Sequence, residues 1–321
     1  MIKVAVTDYS FDTLDVETEI LRPLGCDVVA HRKASGPELS ELVADADHII
    51  TQFAPLRADV VAAMRNARVI VRYGVGVDNV DLEAARARGI PVCNVPDYCI
   101  DEVADHALAL ILATTRHVVP NCLAVRSGQW KLAVPLAAML PLSEMTVGIM
   151  GFGRLGRAVA RRLLGFRCRV LVHDPIVPAA AVKDAGCVPA DFASLLAESD
   201  LVTLHCPSTA QTRRLMNRQT LGQMKRGAML INVSRGDVVE SAALIEALQS
   251  GHLAAAALDV FDPEPIPADN PLLRMDNVVL SAHVASCSAK AARKLRETVA
   301  GTVVKAIRGE PLPNIVNGVK A

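Results

Sequence analysis

Short apolar runs rich in β-branched residues alternate with longer amphipathic stretches along the whole chain. The early runs fall at 2–7, 27–30, 48–51 and 69–71, and helical patterns at 14–24, 37–44, 58–66 and 82–88 follow them in turn. The runs are continuous rather than alternating, as in strands buried on both faces. Strand–helix repetition of this kind predicts a parallel sheet covered by helices. A break near Pro96 precedes a long helical pattern from 101 to about 118, with Ala104, Leu108, Ile111, Leu112 and Thr115 at helical spacing. Residues 120–143 hold three prolines and show little periodicity. A second series then opens at 146–150 and continues through runs at 169–173, 201–205, 229–233, 253–258 and 278–281. A last helical pattern runs from 289 to about 307 and stops at Arg308-Gly309.

The length, 321 residues, suits about two domains at roughly 150 residues each. With 51% hydrophobic residues there is ample material for a core. Lys+Arg and Asp+Glu balance at 34 each, so no electrostatic footprint for nucleic acid or an anionic membrane stands out. Aromatics make up only 3%, which argues against base-stacking platforms. The eight cysteines form no Cys-x-x-Cys pair and no zinc spacing, and no metal site is expected. Most of them, Cys93 and Cys168 among them, sit in apolar runs. They read as reduced thiols of a soluble, cytoplasmic protein. The first residues read as a strand rather than a signal peptide, and no apolar run reaches the length of a membrane helix.

The most informative stretch is Thr146-Val147-Gly148-Ile149-Met150-Gly151-Phe152-Gly153-Arg154-Leu155-Gly156. G-x-G-x-x-G alone is a weak signal, but here an apolar strand precedes it and an amphipathic helix follows. Gly151 suits the tight turn, Gly153 the close approach of backbone to a pyrophosphate, and Gly156 the packing of helix on strand. The helix start offers N–H groups and a partial positive charge to phosphates. Asp174 ends the next strand, 18 residues beyond Gly156. A carboxylate there accepts hydrogen bonds from ribose hydroxyls and repels a 2′-phosphate, and Pro175-Ile176-Val177 offer no cation. NAD is therefore favoured over NADP.

Ligands of open α/β sheets bind beyond the carboxyl ends of the strands. That rule gathers His205, Arg235, Asp259 and His283 around one crevice, without choosing between the two histidines. His31, His48, His106, His117 and His252 fall in helical or loop contexts with no supporting neighbours in the sequence, and His173 flanks the ribose Asp174.

The segments Val233-Ser234-Arg235-Gly236, Leu258-Asp259-Val260-Phe261 with Glu264-Pro265, Ala282-His283, and Tyr73-Gly74-Val75-Gly76-Val77-Asp78-Asn79 resemble the D-isomer-specific 2-hydroxyacid dehydrogenase family over nearly the whole chain. The stretch from Arg68 to Pro96 is most similar to the C-terminal-binding-protein branch, and the phosphoglycerate dehydrogenase branch is nearly as close. The resemblance implies two doubly wound, Rossmann-like α/β domains, with a substrate domain at 1–98 and 286–321 and an inserted NAD-binding domain at 99–285. It implies that Arg235 binds the substrate carboxylate and polarises the carbonyl, that His283 is the general acid or base, and that Glu264 orients His283 and stabilises its imidazolium. It implies cofactor contacts at Gly151, Gly153, Arg154, Leu155, Gly156, Asp174, His205, Cys206, Pro207, Thr212, Val233, Ser234, Arg235, Asp259, His283 and Ser286. Gln52, Tyr73, Gly74, Val75 and Gly76 fall to the substrate, with Val75 and Gly76 offering backbone N–H groups. Residues 52–54, Tyr73, Tyr98 and Ser286 are the expected walls of the side-chain pocket.

The implied reaction is reduction of a small 2-keto acid by NADH to a D-2-hydroxy acid. Two alternatives stay open: an NAD-sensing regulator of the C-terminal-binding-protein type, and a phosphite dehydrogenase. Glu264 argues against formate dehydrogenase chemistry, where the resemblance would require Gln. Those regulators carry a Trp where Ser286 stands, so the selectivity of that Trp does not transfer. Arg72 suits a substrate phosphate but is common to both branches. Residues 120–143 resemble a dimer-wrapping arm, which implies a homodimer, although Trp130 reads equally well as an ordinary core anchor.

Overall fold

The computed structural model describes residues 1–320. The chain folds into two compact units, residues 1–98 with 288–321 and residues 99–287. In the first unit, the chain alternates β1 (Ile2–Val6), α1 (Asp15–Leu21), β2 (Cys26–Ala30), α2 (Gly36–Ala44), β3 (His48–Thr51), α3 (Ala58–Ala63), β4 (Val69–Arg72), α4 (Leu82–Ala87) and β5 (Val92–Cys93). The strands form one parallel sheet in the order β2-β1-β3-β4-β5. Strand side chains alternate between two apolar layers, which is why the runs read as continuous. Ala5, Ile49, Ile70 and Val92 meet Leu39, Val43 and Val61 on one face. Val4, Val6, Ile50, Val69 and Val71 meet Leu21 and the last helix on the other.

The second unit runs through α5 (Ile100–Thr115), α6 (Val118–Arg126), β6 (Thr146–Met150), α7 (Arg154–Gly165), β7 (Arg169–His173), α8 (Ala179–Asp184), β8 (Val188–Pro189), α9 (Phe192–Glu198), β9 (Leu201–Leu204), α10 (Arg218–Gln223), β10 (Ala228–Asn232), α11 (Ser241–Gln249), β11 (Leu253–Leu258) and β12 (Val278–Leu280). Its parallel sheet has the order β12-β11-β10-β9-β6-β7-β8. The order reverses between β6 and β9, and that switch point is where open α/β sheets bind their ligands. The chain returns to the first unit with α12 (Ala289–Arg308), which Ser288 caps through a hydrogen bond from the Ala291 N–H. Ala291, Leu295, Val299 and Val303 form its buried stripe at a spacing of four.

Three expectations change. Residues 118–126 are helical despite Pro120, because the first turn of a helix has no intrahelical N–H bonds for proline to break. None of the residues of α6 is buried, so it leaves no apolar stripe to read. Trp130 is 92% exposed in this chain, so it is not a core anchor. His48 lies in strand β3, buried, rather than in a helix or loop. Among the described residues, no single helix is long and apolar enough to cross a membrane; α5 and α6 together would be, but they bend by 62° at their junction.

Candidate active site

The glycine loop follows β6 directly. Gly151 has φ +92°, and a Cβ there would lie 2.8 Å from the Cys206 backbone N, so glycine is required both by conformation and by the close pass of the chain after β9. A Cβ on Gly156 would come 2.1 Å from the Gly151 carbonyl oxygen, which is the close packing of helix on strand. Gly153 differs: a Cβ there meets nothing within 4 Å. No side chain caps α7, which leaves its first N–H groups for an anion such as a pyrophosphate.

Asp174, just past β7, accepts hydrogen bonds from the N–H groups of Phe152 (2.6 Å), Ile176 (2.8 Å) and Val177 (3.0 Å). Partial burial pushes its pKa up, but these three donors outweigh burial and hold it below the ordinary value. A carboxylate offers about four lone-pair sites, so one acceptor position remains for a ribose hydroxyl. Beside it, Val172, Val177, Val182 and Pro189 line an open pocket between Asp174 and Asp191, suited to a flat apolar ring. Among the described residues, no group of His, Cys, Asp and Glu could hold a metal ion.

Three chain turns carry the groups for chemistry. After β10, the buried Asn232 accepts from the Ser234 N–H and hydroxyl (3.0 and 2.9 Å) and donates to the Arg235 carbonyl (2.8 Å), which folds the turn that presents Arg235. A Cβ on Gly236 would lie 2.0 Å from the Phe261 carbonyl carbon and oxygen. Only glycine lets this turn lie against the loop after β11 that bears Glu264. Glu264 sits between the cis bonds Asp262–Pro263 and Glu264–Pro265. One of its oxygens accepts from the Phe261 N–H (2.9 Å), and the other lies 2.7 Å from His283 Nδ1. Burial pushes the Glu264 carboxyl up, but the His283 hydrogen bond and charge, the Phe261 N–H and the Arg235 charge pull it below its usual value. It is therefore ionised and can only accept, which makes His283 Nδ1 the donor. His283 has φ +52°, and its N–H donates to the Asp259 carbonyl (2.7 Å).

The structure brings Arg235, Glu264, His283 and Asp259 together at the ends of β10, β11 and β12. Asp259 is 0% exposed and already accepts from Ser281 Oγ (2.6 Å), Val284 N (3.0 Å) and Ala285 N (2.9 Å). Val233 is buried beside Arg235, Arg154 is exposed, Leu155 is half-buried, and Ser286 is half-buried beyond His283. Thr212 donates to the Pro207 carbonyl (2.5 Å), which closes the loop after β9. Burial holds the Cys206 thiol up at about 11, so this residue offers a cofactor its backbone rather than a thiolate.

Several expected side chains face elsewhere. The His205 ring is engaged by Thr203 Oγ1 (3.0 Å), its Nδ1 is sealed without a partner, and burial lowers its pKa to about 4. Its backbone, not its ring, lines the Gly151 turn. Tyr73 is not a pocket wall: its ring is in the core of the first unit, with its hydroxyl donating to Glu17 (2.8 Å). The Gln52 side chain bonds Ser10, accepting from its N–H (2.7 Å) and donating to its hydroxyl (2.9 Å). Gly74 has φ +137°, and the Arg72 guanidinium occupies the place a Cβ would take. The Val75 carbonyl accepts from Asn94 Nδ2 (2.6 Å). His106, which has no supporting neighbours in the sequence, meets Ser281 and Asp259 in space.

Residues 108–285 match the model of the D-isomer specific 2-hydroxyacid dehydrogenase NAD-binding domain. The chain is 42% identical over 280 residues to the glyoxylate reductase of Korarchaeum cryptofilum, covering 86% of this chain and 84% of that protein. The chain belongs to the D-isomer specific 2-hydroxyacid dehydrogenase family. As a family member it is an NAD-dependent oxidoreductase. It is also 37% identical over 300 residues to the D-3-phosphoglycerate dehydrogenase of Archaeoglobus fulgidus, covering 93% of this chain but 56% of that longer protein. The D-lactate dehydrogenase of Aquifex aeolicus, solved with NAD and lactic acid, superposes with a TM-score of 0.88 at 27% identity, with 96% of each chain covered. The two α/β units and the NAD cofactor implied by the sequence are those of this family.

Proposed function

We propose that this dehydrogenase reduces glyoxylate, or a 2-keto acid of similar size, to the corresponding 2-hydroxy acid. The observation that carries the reading is the His283 Nδ1 to Glu264 contact of 2.7 Å, beside Arg235. NADH, when bound, supplies the hydride that goes to the carbonyl carbon. His283, with Nδ1 held by Glu264, gives the proton at Nε2 to the carbonyl oxygen and later regains one from solvent. The Arg235 guanidinium binds the substrate carboxylate and stabilises the negative charge that builds on the oxygen. Glu264 offsets the positive charge of the protonated ring and fixes its direction. Gly153 and the start of α7 take the pyrophosphate, and Asp174 takes a ribose hydroxyl. Asp259, the backbone of Cys206 and Val233, and Ser286 belong to the nicotinamide end. The choice of glyoxylate rests on the identity to glyoxylate reductases.

The assembly proposed is a homodimer. Residues 118–140 expose Val118, Leu123, Val125, Trp130, Leu132 and Leu136, a run of large apolar side chains that a second copy would cover. The free cysteines agree with a cytoplasmic setting. The test is NADH oxidation with glyoxylate, hydroxypyruvate, pyruvate and 3-phosphohydroxypyruvate. Glyoxylate should give the highest kcat/KM, and His283→Ala should abolish turnover while NADH binding persists. Tight NADH binding with no turnover on any acid would overturn the proposal in favour of a regulatory role.

A further inference from the structure

Asp259 is a fully buried carboxylate around which the His283 loop is wound. Three successive N–H groups bond this one residue: His283 to its carbonyl (2.7 Å), and Val284 and Ala285 to its carboxylate (3.0 and 2.9 Å). On the other side stands His106 of α5, with Nε2 3.0 Å from Ser281 Oγ and 3.4 Å from Asp259 Oδ1.

The direction of each hydrogen bond follows from the donor inventory. The carboxylate only accepts, so Ser281 spends its single hydrogen on Asp259 at 2.6 Å. Ser281 Oγ can then only accept from His106, so Nε2 carries the hydrogen. One N–H thus closes a chain from helix α5 through Ser281 to the carboxylate that holds the loop. A backbone in the left-handed region, as at His283, persists only where its surroundings over-determine it.

We propose that His106 is a positioning residue: through Ser281 and Asp259 it sets the place of the His283 ring relative to Glu264. The inference rests on His283 being the group that exchanges the proton. The charged and titratable groups facing this loop are Glu264, with Arg235 acting on it, Asp259 from the end of β11, and His106 from α5. Without the Nε2 hydrogen, Ser281 loses the donor that fixes its hydroxyl on the buried Asp259, and the chain segment bonded to that carboxylate is free to shift. Small displacements of a reacting group cost rate more than they cost binding.

The experiment uses the full chain with His106→Leu, His106→Gln, Ser281→Ala and His283→Ala. Three quantities are read: kcat and KM for glyoxylate, the Kd for NADH, and the titration of the His283 ring by NMR without cofactor, assigned by the signal missing in His283→Ala. For His106→Leu, kcat should fall roughly 10- to 100-fold, with NADH affinity nearly unchanged and the His283 titration moved to lower pH as its pairing with Glu264 loosens. Glutamine offers a donor where Nε2 stands, so His106→Gln should recover most of the loss. If His106→Leu does not fold, His106→Gln near native beside an impaired Ser281→Ala supports the proposal, and the reverse order overturns it. It is also overturned if His106→Leu matches the native enzyme, or if Leu and Gln are equally impaired while the His283 titration stands still. Turnover persisting in His283→Ala would sink the functional reading instead, and the NMR titration would still decide the role of His106.

Discussion

His283 Nδ1 and a Glu264 carboxylate oxygen lie 2.7 Å apart, although 19 residues and strand β12 separate them in the chain. Two close passes bring them together. Gly236 lets the Arg235 turn rest on the Phe261 backbone, and Asp259 binds the loop after β12. Backbone packing thus brings the turns that bear imidazole, carboxylate and guanidinium together, and the His283–Glu264 pair closes the contact.

Neutralising the carboxylate tests its charge apart from its shape. Glu264→Gln should lower kcat for keto-acid reduction roughly 10- to 100-fold. It should also move the alkaline limb of the rate profile to lower pH, because the negative partner of the protonated ring is gone. In the native protein the Glu264 pKa is depressed below 4.5. The pair is therefore present above that value and is lost as pH falls through the depressed one. A Gln variant with native rate and profile would show that the charge plays no part.

Two glycines of the cofactor loop should behave differently. Gly156→Ala forces a methyl to 2.1 Å from a backbone oxygen, so it should lower both Tm and NADH affinity. Gly153→Ala meets no protein atom within 4 Å, so its cost to stability should be about 1 kcal/mol or less, that of alanine at a helix N-cap. NADH affinity should still drop, because the methyl enters the space meant for phosphate. Thermal melts and NADH fluorescence titrations separate the two effects.

In the first unit, the buried Glu17 accepts from Tyr73 (2.8 Å) and from Arg296 Nε and Nη2 (2.9 and 2.7 Å). Arg296→Leu strands that charge and should cost about 3–5 kcal/mol. Tyr73→Phe removes one bond to a charged group and should cost about 1.5–3 kcal/mol. Urea denaturation midpoints measure both; equal stability in all three proteins would contradict the network.

Acid stability has a named source in His48. Burial lowers its pKa to about 4, with Asp47 opposing and Arg68 adding to the shift. The folded state thus keeps a neutral ring that the unfolded chain protonates below the ordinary 6.5. Its stabilisation is full above 6.5 and is lost as pH falls towards the folded pKa, amounting to about 2 kcal/mol by pH ~5. His48→Gln should flatten the pH dependence of the denaturation midpoint by that amount.

Strand ends converge by topology, which is why the sequence alone places the glycine loop, Asp174, Arg235 and both His205 and His283 near one crevice; the choice of His283, and Glu264 as its partner, comes from the family resemblance. Roles that depend on facing elements were not legible. His106 gains its partners only when α5 packs on the ends of β11 and β12, and Ser281 lies 175 residues away from it. Tyr73 directly follows β4, where alternation turns it into the core towards Glu17 on α1, 56 residues earlier. Strands β5 and β8 have two residues each, too short for a hydrophobic period. Trp130 reads equally well as core or as part of an exposed arm, because a large apolar ring carries no sign of which it is until the fold leaves it 92% exposed.

The most direct measurement is the pH dependence of kcat/KM in both directions, with glyoxylate and NADH one way and the 2-hydroxy acid and NAD the other. Reduction needs a proton on His283, so its rate should fade as pH rises through the pKa of that ring. Oxidation needs the neutral ring, so it should rise through the same pH. Opposed limbs with one shared midpoint, both absent in His283→Ala, are the predicted result; flat profiles, or limbs that survive the substitution, would contradict proton exchange at His283.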